Sequence, residues 1–173
     1  MPSSTDSLRL FYALWPDDDI RSQLVALQSK VNGRKVVPEN LHMTLAFLGQ
    51  QSRDMLPALH QAIDELPFNT ISLEIDRFGY FQKPQVAWAG PSSAPQALLD
   101  LQHTLMEKLA DFRVPLKATA GFKPHVTLAR DATAPTVTDA PSIIWHVRRI
   151  ALIASISTLS GVSYILLRER LAK

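Results

Sequence analysis

Leu41-His42-Met43-Thr44-Leu45-Ala46-Phe47-Leu48-Gly49 and Pro124-His125-Val126-Thr127-Leu128-Ala129-Arg130 carry one pattern, His-x-Thr-Leu-Ala, twice in the same chain, 83 positions apart. An extended strand sends successive side chains to opposite faces. Each copy therefore shows a His and a Thr on one face and buries Met43 and Leu45, or Val126 and Leu128, on the other. The chain has five histidines. Two of them followed by Thr and Leu at the same offsets arise by chance roughly once in a thousand sequences of ordinary composition. A lone strand His is most simply a hydrogen-bonded structural residue. The duplication, and not either copy alone, marks a functional pair.

Working outward, Leu8 to Leu14 is an apolar run of strand length closed by Trp15-Pro16. Ile20, Leu24, Leu27 and Val31 recur at helical spacing, and Asn32-Gly33 ends that helix. The first motif strand spans Leu41 to Leu48. A second amphipathic helix carries Leu56, Leu59, Ile63 and Leu66, and a strand runs from Ile71 to Phe78. The second half repeats the order loosely. Val86 to Ala89 is a strand, Leu98, Leu101, Leu105 and Leu109 line a helix, and Gly121-Phe122-Lys123-Pro124 leads into the second motif strand. Asp131 to Pro141, rich in Ala, Thr, Asp and Pro, reads as a mobile loop. Strands from Val147 to Ser155 and from Tyr164 to Leu167, with a turn at Gly161, close the chain. The expected fold class is α+β: two pseudo-symmetric lobes of antiparallel sheet with helices outside, and a central cleft carrying the two motifs. Residues 1–173 then form one bilobal domain built by internal duplication.

Composition narrows the chemistry. At 173 residues there is room for one domain with a proper core and not for two of ordinary size. No cysteine is present, which removes thiolate nucleophiles, disulfides and Cys-ligated metals. Met1 to Asp6 shows no basic segment followed by an apolar one, and no apolar run is long enough for a bilayer. A cytoplasmic protein with no membrane attachment is expected. The net charge of +2 does not by itself call for nucleic acid. Basic residues do gather late, at Arg148, Arg149, Arg168, Arg170 and Lys173, as a solvated face or a phosphate-steering one. Asp17, Asp18 and Asp19 read as the cap of the first helix.

Two imidazoles across a cleft can hold opposite protonation states near neutral pH, because an unperturbed His titrates at about 6.5. They then serve as general base and general acid. Two Thr hydroxyls beside them are neutral donors for the non-bridging oxygens of a phosphate whose transition state gathers negative charge. The set suits displacement at a phosphodiester. Residue types alone do not say which His is acid and which is base. Arg130 is a further candidate for the phosphate, but strict alternation turns it away from the face of His125, so it reaches the cleft only through a bulge or a strand end. His60, His103 and His146 lack the pattern and are given no role.

The two motifs with their flanks resemble the paired HxTx signature of the two-histidine phosphoesterases, on the branch of bacterial RNA 2′,3′-cyclic phosphodiesterases, also called 2′-5′ RNA ligases. Arg9-Leu10-Phe11-Tyr12-Ala13 near the start and Gly161-Val162-Ser163-Tyr164 near the end resemble that branch too, so the likeness runs through nearly the whole chain. One departure is the pair Val162 and Ser163, where relatives often carry a basic residue. The resemblance implies that His42 is the proton donor, His125 the proton acceptor, and that Thr44, Thr127 and Arg130 hold the phosphate. It further implies hydrolysis of RNA 2′,3′-cyclic ends to 2′-phosphomonoesters, without metal or cofactor, and a reversible ATP-independent 2′-5′ ligation. The partner is RNA or an oligonucleotide with a 2′,3′-cyclic phosphate end, and a monomer is expected.

Three other readings compete. The same site could take another cyclic nucleotide or a 2′-5′ oligonucleotide, since the motif specifies the phosphate and not the base. A metallohydrolase would use His42 and His125 with Asp131 or another carboxylate, yet neither motif has a carboxylate on its own strand face. A non-catalytic RNA-binding module would lean on the late basic residues and on Tyr80, Phe81 or Trp88 as stacking surfaces.

Overall fold

The computed structural model describes residues 6–118 and 121–173; the reading of Met1 to Thr5 lies outside them. In chain order the elements are β1 (Ser7–Leu14), α1 (Asp18–Gln28), β2 (Arg34–Lys35), β3 (Met43–Ser52), α2 (Leu56–Asp64), β4 (Ile71–Phe81), β5 (Val86–Gly90), α3 (Gln96–Asp111), β6 (Val126–Arg130), β7 (Asp139–Val147), β8 (Arg149–Thr158) and β9 (Gly161–Leu171). The protein is α+β. One sheet runs β7-β4-β5-β6-β3-β1-β8-β9, with β2 also pairing β6. The pairings are antiparallel throughout.

That order reads the same outward from its centre. β3 has β1, β8 and β9 on one side; β6 has β5, β4 and β7 on the other. The two groups do not follow the halves of the chain. β4 closes what reads in sequence as the first half, yet it forms a hairpin with β5, and β8 returns to pair with β1. Helical spacing and strand alternation are local signals, whereas these pairings join residues far apart, so sequence pattern could not assign strands to groups.

Each helix buries one stripe. Leu59, Ala62 and Ile63 do so on α2, Leu98, Leu101, Leu105 and Leu109 on α3, and Ile20, Leu24 and Leu27 on α1. The Asp17 carboxylate accepts from the Ile20 amide at 2.9 Å, so the acidic run caps α1. The helices pack on the sheet face that carries Leu10, Tyr12 and Leu14; the Tyr12 hydroxyl donates to the Leu59 carbonyl at 2.6 Å. The opposite face of β1 and β8 holds Phe11, Ala13, Ala151 and Ile153 in a second small cluster with Trp15 and Tyr164. β1 is thus apolar on both faces because both are covered. Fully burying each of its large apolar side chains contributes about 1.5–3 kcal/mol.

The stretch read as a mobile loop is tied down. The Ala132 amide donates to the Gln85 carbonyl at 3.2 Å, the Thr133 amide to Asn32 Oδ1 at 2.9 Å, and the Phe78 amide to the Thr138 carbonyl at 2.7 Å. Its end, from Asp139, is already β7. Among the described residues no helix is long and apolar enough to cross a membrane.

Candidate active site

β3 and β6 meet at the centre of the sheet through one antiparallel pair, Met43 with Val126. Extended by one residue either way, that register sets His42 across from Thr127 and Thr44 across from His125. Directly opposed residues of an antiparallel pair lie on one face with their Cβ atoms about 5 Å apart. Met43 and Val126 are fully buried behind them. The four motif side chains therefore form a compact quartet, with each His beside the Thr of the other copy.

Both imidazoles are anchored alike. His42 Nδ1 lies 2.6 Å from the carbonyl of Asn40, and His125 Nδ1 lies 2.7 Å from the carbonyl of Lys123, in each case two residues back. A carbonyl only accepts, so Nδ1 carries the proton and Nε2 is left as the reactive nitrogen in both rings. Thr44 Oγ1 stands 3.0 Å from His42 Nε2 and donates to it when the ring is neutral.

The surroundings of the two rings differ. His42 stacks on Phe11, with ring centres 4.8 Å apart, and on Trp15 at 5.8 Å, while Tyr164 meets it edge-on at 5.4 Å. Burial in this cage pushes its pKa from 6.5 down to about 4, against the Asn40 carbonyl, with His125, Arg130 and Arg21 adding to the depression. His125 meets Phe81 edge-on at 4.9 Å and Trp88 at 5.9 Å. Burial lowers its pKa too, opposed by the Lys123 carbonyl and reinforced by the charges of Lys123 and Arg130. Trp88 is held flat by close backbone approach: a Cβ at Gly79 would lie 2.1 Å from its ring.

Arg130 reaches the cleft, through a bulge. In β6 the pairing with β5 steps from Trp88–Thr127 to Ala87–Ala129, leaving Leu128 as the extra residue. Leu128 and Ala129 are consecutively buried, and Arg130 is restored to the histidine face. Its charge is felt by His42, His125 and Tyr164 alike. The first motif bulges at the equivalent place: β3 steps past Leu45 against Tyr12 and Ala13 of β1. Phe47 is therefore the counterpart of Arg130. Gly33 makes room behind the end of β6, with φ +96° and a Cβ that would fall 2.6 Å from the Arg130 carbonyl oxygen.

Other sequence candidates lie elsewhere. Asp131 pairs with Arg34 at 3.3 Å, and among the described residues no group of three His, Cys, Asp or Glu side chains is placed to hold a metal ion. Trp88 is buried and Tyr80 is half-buried with its hydroxyl donating to the Ala132 carbonyl at 2.9 Å, so of the three proposed stacking aromatics Phe81 alone lines the groove beside His125 among the described residues. Of the late basic residues, Arg168 and Arg170 lie on the helix side of the sheet, while Arg149 lies on the face of Ala151 and is held by a carboxylate. Arg168 makes a two-pronged pair with Asp64 on α2, Arg149 pairs with Glu169 at 3.4 Å, and Arg170 donates to the Leu66 carbonyl. His103 pairs with Glu107, and His60 belongs to α2. Sequence reading missed the cage of Phe11, Trp15 and Tyr164, and Lys123 beside His125. Phe11 alone left a signal, as an apolar residue on the second face of a strand whose first face was already apolar.

Comparison with known proteins gives one answer. A family model described as the 2′-5′ RNA ligase superfamily matches residues 16–158. An RNA 2′,3′-cyclic phosphodiesterase of Escherichia coli is 30% identical over 79% of this chain and 80% of its own. One from Thermus thermophilus is 33% identical over 94% of this chain and 89% of its own. The crystal structure of Escherichia coli LigT complexed with 3′-AMP superposes with a TM-score of 0.85 at 29% identity, covering 96% of this chain and 98% of that one.

Proposed function

The chain belongs to the 2′-5′ RNA ligase superfamily, and from that premise we propose that its paired motifs hydrolyse 2′,3′-cyclic phosphate ends of RNA to 2′-phosphomonoesters. The observation that carries the reading is the Met43–Val126 register with the two matched Nδ1 anchors, which leaves both Nε2 atoms as the reactive nitrogens on one face beside two Thr hydroxyls, one of which bonds to His42 Nε2. His125 Nε2 takes a proton from water as its oxygen attacks phosphorus. His42, carrying a proton on Nε2, gives it to O3′ as the P–O3′ bond breaks. Thr44, Thr127 and Arg130 hold the non-bridging oxygens. Proton and bond changes balance within this set, so no cofactor is invoked. A 5′-hydroxyl in place of water forms a 2′-5′ linkage by the same steps, driven by the strained ring and not by ATP. The enzyme acts in the cytoplasm as a monomer, and its residues 1–173 form one duplicated, bilobal domain.

The free site holds both rings neutral at pH 7, with His42 the harder to protonate. The donor role at His42 follows from family resemblance and requires the substrate's negative charge to raise that ring's pKa on binding. The test is incubation with an oligonucleotide ending in a 2′,3′-cyclic phosphate in the presence of chelator, followed by phosphorus NMR. A 2′-phosphomonoester is expected. A 3′-phosphate would mean that the donor faces O2′, and no turnover would remove the function.

A further inference from the structure

Beside the quartet a groove of about 560 Å³ opens between β3, α3 and the segment leading to the second motif. Thr44 and His125 line it together with Phe47, Phe81, Phe122, Gln102 and Lys117. Three features of its wall are unusual together. Phe47 is 62% exposed, although it belongs to a central strand and its counterpart in the other motif is Arg130. Among the described residues no Asp or Glu lines the groove, while two lysines do. Those lysines are engaged differently. Lys123 lies over Phe81 at 5.1 Å and Trp88 at 5.3 Å, and its charge acts on His125. Lys117 is exposed, makes no ion pair among the described residues, and is not among the charges acting on either histidine.

A cation in the same groove as the reacting phosphate, but apart from it, suits a second phosphate. The exposed ring in the same wall suits a base, since stacking on an aromatic face is worth about 1–3 kcal/mol and tolerates any sequence. The geometry points to a subsite for the RNA chain on the 5′ side of the cyclic end, with a base on Phe47 and the adjoining internucleotide phosphate on Lys117. The occupant is a polyanion with stacking bases, which is what an acid-free groove of three phenyl rings and two ammonium groups complements. The enzyme then recognises a cyclic phosphate as the end of a chain rather than as a mononucleotide. This inference rests on the proposed hydrolysis.

The experiment compares kcat/KM for three probes: adenosine 2′,3′-cyclic phosphate, the ApA dinucleotide with a 2′,3′-cyclic end, and that dinucleotide with a neutral methylphosphonate linkage. The dinucleotide should exceed the mononucleotide by about tenfold or more, the scale of one hydrogen bond to a charged group. In Lys117→Ala that ratio should fall toward one, Lys117→Arg should keep most of it, and the neutral linkage should abolish it in the wild type. Phe47→Ala should lower the ratio while Lys117 remains. Lys117 is exposed and makes no ion pair among the described residues, so its variants should fold. A wild-type ratio near one, or a ratio unchanged by both Lys117→Ala and the neutral linkage, overturns the subsite while leaving hydrolysis in place. If no probe turns over, the hydrolytic reading fails and the subsite falls with it.

Discussion

The two copies of the motif have the same backbone and different neighbours. Each His hands Nδ1 to the carbonyl two residues back, each Thr points to the same face, and each strand bulges at the Leu that follows. Yet His42 sits among Phe11, Trp15 and Tyr164, whereas His125 borders an open groove with Lys123 beside it. Past the bulge, one copy presents Phe47 and the other Arg130. The repeated part sets where two imidazoles stand. The unrepeated part makes them unequal, and inequality is what an acid and a base require.

The largest break in the comparison comes from removing either ring. His42→Ala and His125→Ala should each lower kcat at least about a hundredfold, the usual scale for a lost general acid or base. Circular dichroism should stay native for both. The thermal midpoint should not stay equal, because His42→Ala opens a gap between Phe11 and Trp15 while His125→Ala empties a site already facing the groove. Near-wild-type turnover in either folded variant contradicts the two-histidine mechanism.

Smaller losses sharpen it. Thr44→Val and Thr127→Val delete a donor and keep the branched shape, so each should slow the reaction by about one to a few kcal/mol of transition-state stabilisation. The motif alone predicts equal effects. The structure predicts a difference in kind: Thr44 also donates to His42 Nε2, a bond that favours the neutral ring, so Thr44→Val should raise the His42 pKa as well. On a mononucleotide 2′,3′-cyclic phosphate, which does not reach the chain subsite, Arg130→Gln should cost a comparable amount, with no matching loss in Phe47→Leu. A proton NMR titration of the imidazoles, alongside kinetics, separates these cases.

The depressed histidines also set a pH window. The kcat/KM profile reports the free enzyme, where both rings lie below 6.5, so its bell should peak on the acid side of pH 6.5. Bound phosphate raises both values, so the kcat profile should peak at higher pH. For stability, the unfolded chain takes up a proton at His42 near pH 6.5 and the folded chain only near pH 4. Stability is therefore full above about pH 6.5 and falls as pH drops toward 4, by an amount on the order of 3 kcal/mol. Denaturant unfolding at pH 7 and pH 4.5 checks this, and His42→Gln should flatten the difference. Equal stability at the two pH values in the wild type would show that the cage does not exclude the charged ring.

What the sequence allowed was what local period and repetition encode. Alternation around Met43 and Val126, helical spacing at Leu98 to Leu109 and the Asp17 cap were all legible because each depends on neighbours within a few residues. The position of Arg130 was not. Alternation turns it outward, and only the step past Leu128 in the pairing with β5 restores it. That step was foreshadowed by Leu45-Ala46 and Leu128-Ala129, two successive apolar residues after each Thr. The cage around His42 was still less accessible, since Phe11, Trp15 and Tyr164 come from segments joined only when β8 returns to β1 and brings β9 with it.

The smallest expected effect separates two sets of arginines that look alike in sequence. Arg168 and Arg170 stand in the basic tail, which reads as a solvated face or a phosphate-steering one; Arg130 follows a motif, but strict alternation turns it away from the face of His125. The fold separates the two sets. Arg168 is turned to the helix side of the sheet, where Asp64 occupies its guanidinium with two hydrogen bonds, while Tyr164 on the same strand meets His42 on the other side. A cation already neutralised, and on the far face, neither raises the local concentration of an anion nor touches it. Arg168→Ala should therefore leave kcat/KM and its salt dependence unchanged, whereas Arg130→Gln should lower kcat/KM at every salt concentration. A loss of salt dependence in Arg168→Ala would return the tail to the substrate path and weaken the assignment of the positive field to Arg130 and Lys123.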